Sequence, residues 1–396
     1  MPRISFRSVG VVCASGLGAL AVAVVPAVTP AGGDQPTPQP SLTALTILSG
    51  MTLSHTYTVS GTTNSTASEP LTKPDDITKL GGLLFVGFQN GVGPQGEPSS
   101  DGNTDSTIVA LDRFGQALAQ WDVQGKVDGL TADRAIGGLI ATVNEDANSS
   151  LYTITPGAHG AADVQHYTYN EPLPHNGGTD AISILRDQIL ISASAPGTIG
   201  TTPAPNASFP AVYSVTLDPS TSVATVSPLF YDEDTATVAN VGPQEGQTTA
   251  LALTDPDSSE IVPNGAPRFA HDFMLDSQGD QQQIFVGKGE RSKSLSVLSL
   301  SQSVDDTAWA IRPGVLYGTD STNDAVVALR GTFGSNPIVA VTPCGANSAP
   351  TTCPSLPANY LGSLDPWTGA ITPVPVSGAD FVPQGGLVFV PFRHQR

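Results

Sequence analysis

Basic residues are scarce in this sequence. It contains 16 Lys and Arg against 35 Asp and Glu in 396 residues, which gives a formal net charge of −19. Charged residues of both signs make up only 13% of the chain, so solubility depends on Ser, Thr, Asn and Gln. Because binding to phosphates requires clustered Lys and Arg, the composition argues against a nucleic-acid or anionic-membrane partner. We expect a monomer whose partner is a small molecule or an extracellular protein.

Several catalytic motifs are also absent from the sequence. It has no Gly-x-Ser-x-Gly elbow, no His-Glu-x-x-His pair and no phosphate-binding Gly-Lys loop. These absences argue against the common serine hydrolases, zinc peptidases and nucleotide-binding enzymes. Any activity must therefore come from a less easily identified arrangement of side chains.

The N-terminal residues 1–31 have the features of an export signal. Arg3 and Arg7 precede an apolar run from Val9 to Val28, and small residues follow it. We predict a cleaved signal peptide and a secreted protein, with an uncleaved membrane anchor as the alternative. Residues 32–41 are rich in proline and form a predicted linker, and residues 42–396 form the folded domain.

Only three cysteines occur, and two of them follow the predicted signal. Cys344 and Cys353 lie nine positions apart in a proline-rich segment. In an exported protein such a pair predicts a local disulfide. A metal-binding or redox pair is the alternative, but the two-residue spacing typical of such pairs is missing.

A short pattern recurs along the chain and indicates its architecture. Each copy has an Asp beside a small or apolar residue, then a turn, often with Gly, and then an apolar run. A short pattern that recurs at intervals of several tens of residues is typical of a radial repeat. The leading residues of the five copies are Asp76, Asp128, Asp180, Asp306 and Asp380.

A second recurring element predicts a hairpin within each repeat. Asp112, Asp218 and Asp365 each follow an apolar strand-like run and precede another. A unit with an Asp-led strand, a second apolar strand and a hairpin has four antiparallel strands, which describes a β-propeller blade. We predict an all-β propeller with units starting near residues 76, 128, 180, 248, 306 and 380. Six blades are expected, or seven if residues 248–300 contain two.

The two ends of the domain are expected to close the ring together. The last unit retains only its inner strands, between Asp380 and Phe392, and residues 42–60 supply outer strands from the other end of the chain. This sharing leaves no free sheet edge between the first and last blades.

The repeats resemble those of a known group of propellers. Val127-Asp128-Gly129-Leu130, Pro74-Asp75-Asp76-Ile77 and the segment from His271 to Gly279 are similar to the Asp- and Gly-containing repeats of calcium-dependent gluconolactonase and senescence-marker propellers, and of NHL-repeat proteins. The resemblance implies a six-bladed ring. It also implies possible calcium-dependent lactonase or esterase activity, and a metal-ligand role for Asn144 at the mouth of the channel.

The leading Asp residues are expected to converge at the central channel. Crowded carboxylates cannot all stay ionised without a cation, and Ca²⁺ prefers such oxygen ligands. The alternative is that each Asp caps a loop by accepting backbone N–H bonds. The candidate metal ligands are Asp76, Asp128, Asn144, Asp180, Asp306 and Asp380.

A long polar loop in the first unit is a candidate ligand-binding segment. Its length and Gly content predict a functional role, with a disordered excursion as the alternative. The residues that carry this prediction are Gln89, Asn90, Glu97, Asp101, Asn103 and Asp105.

His271 lies beside Asp272 and is the weak candidate for a general base, although a structural histidine is the alternative. The main functional hypothesis is therefore a secreted propeller without defined catalytic activity that binds a small ligand or partner at an acidic channel. The alternative hypothesis is a calcium-dependent lactonase or esterase.

Overall fold

The computed structural model describes residues 39–59, 62–157, 163–174, 178–194, 209–287, 294–343 and 359–392. The predicted signal peptide, most of the linker, Cys344 and Cys353 lie outside these residues. In the described part, no helix is long and apolar enough to cross a membrane. The strands of the described part are β1 (Ser41–Ser49), β2 (Thr52–Val59), β3 (Thr62–Pro70), β4 (Pro74–Leu80), β5 (Leu83–Phe88), β6 (Asp105–Leu111), β7 (Ala117–Gln124), β8 (Val127–Asp133), β9 (Gly138–Val143), β10 (Ser150–Ile154), β11 (Val164–Tyr169), β12 (Ile182–Leu185), β13 (Gln188–Ser192), β14 (Pro210–Asp218), β15 (Val223–Tyr231), β16 (Thr235–Val238), β17 (Thr248–Ala250), β18 (Pro256–Ile261), β19 (Phe273–Ser277), β20 (Gln282–Val286), β21 (Leu295–Ser299), β22 (Val304–Ala308), β23 (Gly314–Asp320), β24 (Ala325–Thr332), β25 (Ile338–Val341), β26 (Tyr360–Leu364), β27 (Ile371–Pro373), β28 (Val376–Gly378) and β29 (Leu387–Pro391).

The first four sheets follow the chain in order. Strands β4 to β7 form the first sheet, β8 to β11 the second, β12 to β15 the third and β18 to β21 the fourth. Successive strands within each sheet are antiparallel. Parallel pairing of β11 with β15 joins the second and third sheets, and β16 and β17 extend the outer edge of the fourth. Strands β2 and β3 form a separate hairpin.

The last two sheets exchange strands along the chain. The fifth sheet has the order β22, β25, β26, β27, and the sixth has the order β29, β23, β24, β1, β28. The chain therefore leaves the fifth sheet after its first strand, builds the middle of the sixth, and then returns. We predicted that the apolar run after Gly314 would continue the Asp306 unit. That prediction is wrong, because β23 pairs with β29 rather than with β22.

Two other predicted inner strands also needed correction. Thr248 was expected to open the first strand of the fourth unit, but β17 lies at the outer edge of that sheet and β18 is the inner strand. Asp380 was expected to lead the last inner strand, but β29 begins at Leu387 and is preceded by Gly385 and Gly386. The first error arose because apolar periodicity does not distinguish an inner strand from an outer one, and the second because Asp380 precedes an irregular segment.

The innermost strands of the six sheets form a closed ring. Strand β4 contacts β8, and the contacts continue through β12, β18, β22 and β29 back to β4. The fold is a β-propeller, which confirms the predicted fold class. Strand β1 lies in the same sheet as β29, so both ends of the described domain contribute to closure, as expected. Strand β2 was also expected to supply an outer strand of this sheet, but it pairs with β3 instead. Six blades, with seven as the alternative, stays a prediction, and the described residues 248–287 and 294–300 form one sheet of this type.

The core lies between neighbouring sheets. One apolar cluster joins Phe85 and Ile108 of the first sheet to Leu130 and Leu139 of the second, and other clusters join other neighbouring sheets. Strands β6, β9 and β23 are buried along their whole length because both of their faces pack against other sheets. This two-sided burial explains why apolar residues follow one another in these strands, as at residues 108–111 of β6, rather than alternating with polar ones. It also gives the central cavity a rigid wall.

The predicted hairpins are present. The Asp112 turn joins β6 to β7, the Asp218 turn joins β14 to β15, and the Asp365 turn joins β26 to β27. In each turn the Asp carboxylate accepts a backbone N–H bond from the residue two positions later, at 2.8 to 2.9 Å. This local bond is the reason that Asp is favoured at such positions.

Candidate functional site

A central cavity of about 440 Å³ is lined by the six inner strands. One end of it carries acidic residues, four of which are the second residue of an inner strand, while Asp180 lies two residues before β12. In β4, β8, β18 and β22 this position lies in a β-bulge, which interrupts the strand pairing and redirects the side chains. We call these five residues the acidic ring: Asp75, Asp128, Asp180, Asp257 and Asp305. In the sixth sheet, Gly385 lies at the corresponding point of the cavity wall.

Three further acidic residues, Asp76, Glu260 and Asp306, line the cavity, and the carboxylates of Asp76 and Asp306 are held by the backbone. Asp76 Oδ1 accepts the N–H of Ile77 and Oδ2 accepts the N–H of Leu130 in the next sheet, both at 2.6 Å. Asp306 repeats this arrangement, with the N–H of Thr307 at 2.6 Å and the N–H of Leu387 at 2.5 Å. Each of these Asp residues therefore links two neighbouring inner strands. We call Asp76 and Asp306 the brace residues.

Gly386 is needed for the close approach of the last inner strand to Asp76. A Cβ atom at Gly386 would lie 2.7 Å from Asp76 Oδ1 and 2.7 Å from the backbone nitrogen of Ile77. We expect Gly386→Ala to lower the free energy of unfolding by about 1–3 kcal/mol, because the neighbour is backbone and cannot easily move. Chemical denaturation would measure this loss.

Gly82→Ala is the matched control for that substitution. A Cβ atom at Gly82 would have nothing within 4 Å. The control should therefore unfold within about 0.5 kcal/mol of the wild type. Equal stability of the two variants would contradict the assigned role of Gly386.

Two polar side chains contact the Asp128 carboxylate. Its Oδ1 accepts a hydrogen bond from Gln89 Nε2 at 3.1 Å and contacts Lys126 Nζ at 2.9 Å. Its Oδ2 is buried with no hydrogen-bond partner, and the residue is only 5% exposed. An unpaired buried carboxylate oxygen is costly, so it indicates that a further partner is needed.

Burial raises the pKa of four ring carboxyls, those of Asp75, Asp128, Asp180 and Asp257, well above the usual value. Neighbouring carboxylates raise these pKa values further, since like charges at close range disfavour ionisation. The pKa of Asp305 rises only to about 6 because burial is offset by hydrogen bonds from Gly385 N–H and Gln278 Nε2. Lys126 acts in the opposite direction and lowers the pKa values of Asp75, Asp128 and Asp180.

The structure places four of the six predicted metal ligands in the cavity wall and the other two outside it. Asp76, Asp128, Asp180 and Asp306 line the cavity, as expected, but the oxygens of Asp76 and Asp306 already accept backbone N–H bonds. For these two residues the capping alternative describes the contacts observed. Their role as metal ligands is not tested and stays a prediction.

Asn144 and Asp380 do not line the cavity. Asn144 Oδ1 accepts the N–H of Lys126 at 2.9 Å, and its Nδ2 donates to the carbonyl of Asn148 at 3.2 Å. Asp380 is exposed, so the expectation that it joins the convergent carboxylates is wrong. The reason is that the chain enters the last inner strand through Gly385 and Gly386, five residues later.

The long loop of the first sheet is ordered by its own polar side chains. Asn90 Nδ2 donates to Thr107 Oγ1 at 2.9 Å, and Asn103 Oδ1 accepts the N–H of Asp105 at 2.8 Å. Asn90, Asn103 and Asp105 are buried, whereas Glu97 and Asp101 are exposed. Of the residues predicted to bind a ligand, Gln89 contacts the acidic ring, because its Nε2 donates to Asp128 Oδ1 at 3.1 Å.

His271 lies in the connection between β18 and β19, at the opposite end of β18 from Asp257. Its Nε2 is 2.6 Å from Asn264 Oδ1, and its backbone has φ of 72°. It does not line the cavity. The prediction that it acts as a general base at the channel is therefore replaced by the structural alternative.

The sequence patterns did not identify Asp75, Asp257, Asp305 and Lys126 as site residues. Asp75 and Asp305 each precede a brace residue, so the doubled Asp-Asp was a usable signal at two positions. Asp257 belongs to an inner strand that was assigned to the wrong segment. No motif pointed to Lys126.

No protein-family model and no curated protein matches this sequence. Among solved structures, the chain is similar to Pseudomonas aeruginosa periplasmic gluconolactonase, with 14% identity over 88% of this chain and 99% of that one and a TM-score of 0.42. Streptogramin B lyase shows 12% identity over 88% and 91% of the two chains, with a TM-score of 0.40. A Bacteroides caccae protein of unknown function shows 9% identity over 89% and 99%, with a TM-score of 0.43. Similarities at this level assign no activity.

Proposed function

We propose that the protein binds a divalent cation, first of all calcium, at the acidic ring, and that it hydrolyses a small lactone or ester there. The observation that supports this proposal is the convergence of five carboxylates from five sheets on one end of a single cavity. Such a ring repels itself when ionised, and a hard cation with oxygen ligands relieves that repulsion.

The donors present fit such an ion in their chemistry. They are carboxylate oxygens, and Asp128 Oδ2 is buried without a partner. Among the residues that the structure describes, no three acidic, His or Cys side chains already lie close enough together to hold a metal ion. We therefore propose that the ring carboxylates move inward on binding. Asp128, Asp180 and Asp257 are the first candidates because they have no backbone N–H bond of the kind that restrains Asp76 and Asp306.

A bound divalent cation would polarise the substrate carbonyl and make a bound water more acidic. The chain itself would supply the group that accepts the proton. Asp305 suits this role, because its pKa of about 6 leaves it mostly ionised near neutral pH. Hydrogen bonds from Gly385 N–H at 2.7 Å and Gln278 Nε2 at 2.8 Å hold its two oxygens in place.

The second candidate function is binding without catalysis, which was the main hypothesis from the sequence. It is favoured by one observation: the residues that line the cavity include no His or Cys and no paired nucleophile and base. In this case the acidic ring would hold a cationic small molecule or a cation-bridged ligand.

Substitution of Asp128 tests the proposal. Asp128→Asn removes a ring charge at nearly constant shape, whereas Asp380→Asn removes the same charge at an exposed position outside the cavity. We expect Asp128→Asn to weaken calcium binding and lactone hydrolysis by at least about tenfold, and Asp380→Asn to change neither. Isothermal titration calorimetry, elemental analysis before and after chelation, and a panel of γ- and δ-lactones and aryl esters provide the readouts.

The outcomes separate the two candidate functions. Calcium binding without turnover of any lactone or ester would favour the non-catalytic function. Absence of metal in native protein, together with no heat of calcium binding, would contradict the proposal as a whole.

A further inference from the structure

Lys126 contacts the acidic ring from the loop that precedes β8. Its Nζ lies 2.9 Å from Asp128 Oδ1 and also contacts Glu145 Oε1. The Lys126 side chain is 15% exposed and that of Asp128 is 3% exposed. One ring carboxylate is therefore already paired with a cation that belongs to the protein.

Hydrogen bonds fix the backbone of Lys126, and this restricts the positions that its ammonium group can reach. Its N–H donates to Asn144 Oδ1 at 2.9 Å, and its carbonyl accepts the N–H of Asn144 at 2.7 Å. Gly125 precedes it with φ of 111°, and a Cβ atom there would lie 2.7 Å from Asn144 Oδ1. Only glycine fits this turn without displacing Asn144.

The two carboxylate partners of Lys126 differ in exposure. The Glu145 side chain is 28% exposed, against 3% for Asp128. A lysine side chain pivoting from a fixed backbone can release Asp128 and keep its contact with Glu145. The cost of leaving the ring is reduced because the ammonium stays paired.

We propose that Lys126 is a tethered competitor for the cation site, released from Asp128 to Glu145 when a divalent cation binds. This inference rests on the proposed function, since it concerns control of the same site. It implies that the wild-type affinity for cations is set below what the acidic ring alone would give. It also implies selectivity for divalent ions, because replacing one single positive charge by another gains little Coulomb energy.

Lys126→Met removes the competitor, and Lys126→Gln removes its charge while keeping a polar group. We expect each variant to bind Ca²⁺ about tenfold more tightly than the wild type, a gain of about 1.4 kcal/mol, as measured by isothermal titration calorimetry. Excess sodium should also compete with calcium more effectively in these variants.

Lys73→Met is the matched control. It removes the same charge, but Lys73 is exposed, donates from Nζ to the carbonyl of Ser321 and does not line the cavity. It should change the calcium Kd by less than about twofold, since exposed charges are screened by salt. Glu145→Gln should act in the opposite direction to Lys126→Met. Loss of the second partner leaves Lys126 on Asp128 and should weaken calcium binding by about threefold.

Whether each substitution strengthens or weakens calcium binding decides whether Lys126 is a competitor for the site. If Lys126→Met and Lys126→Gln weaken calcium binding, or change it no more than Lys73→Met does, Lys126 is not a competitor. In that case the proposed function still stands, provided that the wild type binds calcium. If neither the wild type nor any Lys126 variant binds calcium, both proposals fail. Thermal unfolding without calcium identifies a variant that does not fold, and Glu145→Gln, which leaves Lys126 in place, then provides the decisive sign.

Discussion

The protein is expected to lose stability as the pH rises from about 5 to about 8, and calcium is expected to restore it. Burial raises the pKa of Asp76 to about 8 and those of Asp276 and Asp306 to about 7, from a usual value of 3.8. At pH values between the usual pKa of 3.8 and the raised pKa values, the folded protein holds protons that the unfolded chain releases. The free energy of unfolding therefore falls as the pH rises. The slope is about 1.4 kcal/mol per pH unit for each such group.

Calcium should act most strongly at the upper end of this range. At pH 8 Asp276 and Asp306 are mostly ionised and Asp76 is about half ionised, so negative charges repel one another, whereas at pH 5 protons compete with the ion. A calcium concentration of 100 times the Kd would stabilise the folded state by about 2.7 kcal/mol. Thermal unfolding at pH 5, 6, 7 and 8, with calcium and with chelator, measures both effects.

Asp276→Asn is the informative variant for the pH dependence. Asp276 is fully buried, and it accepts hydrogen bonds from Thr307 Oγ1 at 2.8 Å and Ser258 Oγ at 3.1 Å. Asn has nearly the same shape and does not titrate, so the variant should show a shallower loss of stability with pH. Asp380→Asn should retain the wild-type slope. A wild-type slope in Asp276→Asn would contradict the assignment of this group.

The brace residues are expected to be the most sensitive carboxylates to truncation. Asp76→Ala leaves the N–H groups of Ile77 and Leu130 without their acceptor, and Asp306→Ala does the same to Thr307 and Leu387. Each variant should lose about 2–4 kcal/mol of unfolding free energy, since a buried unpaired N–H group costs about 1–3 kcal/mol. Urea denaturation measures the loss.

The exposed Asp380 again provides the control for the brace residues. Asp380→Ala removes the same carboxylate outside the cavity and should change the free energy of unfolding by less than about 0.5 kcal/mol. If Asp76→Ala and Asp306→Ala are as stable as this control, the interstrand N–H bonds do not support the ring. A loss of calcium binding without a loss of stability would instead favour a ligand role for Asp76 and Asp306.

The sequence was sufficient to predict the class of fold and much of the acidic end of the cavity. Asp76, Asp128 and Asp180 belong to the first three sheets, in which the strands follow the chain in order. There the repeat in the sequence is also the repeat in space. Convergence of these three residues could therefore be predicted from spacing alone.

The remaining errors arose where chain order and spatial order differ. Asp257 follows two edge strands, β16 and β17, which shift the inner strand beyond the expected spacing. Asp380 precedes an irregular segment rather than a strand, and no periodicity marks that difference. Both members of Asp75-Asp76 and of Asp305-Asp306 line the cavity, although successive side chains of a regular strand point to opposite faces. A bulge at each pair interrupts this alternation, and bulges are not encoded by a simple pattern.

The exchange of strands between the last two sheets limits how this protein can be shortened. Each of the first three sheets is built from one segment of consecutive strands, so deletion of that segment would remove a whole sheet without removing strands of another sheet. No single deletion does this for the fifth or sixth sheet, because β23 and β24 lie between β22 and β25 in the chain. Loss or gain of a repeat during evolution is therefore expected in the first half of the chain, while the last two sheets must be inherited together.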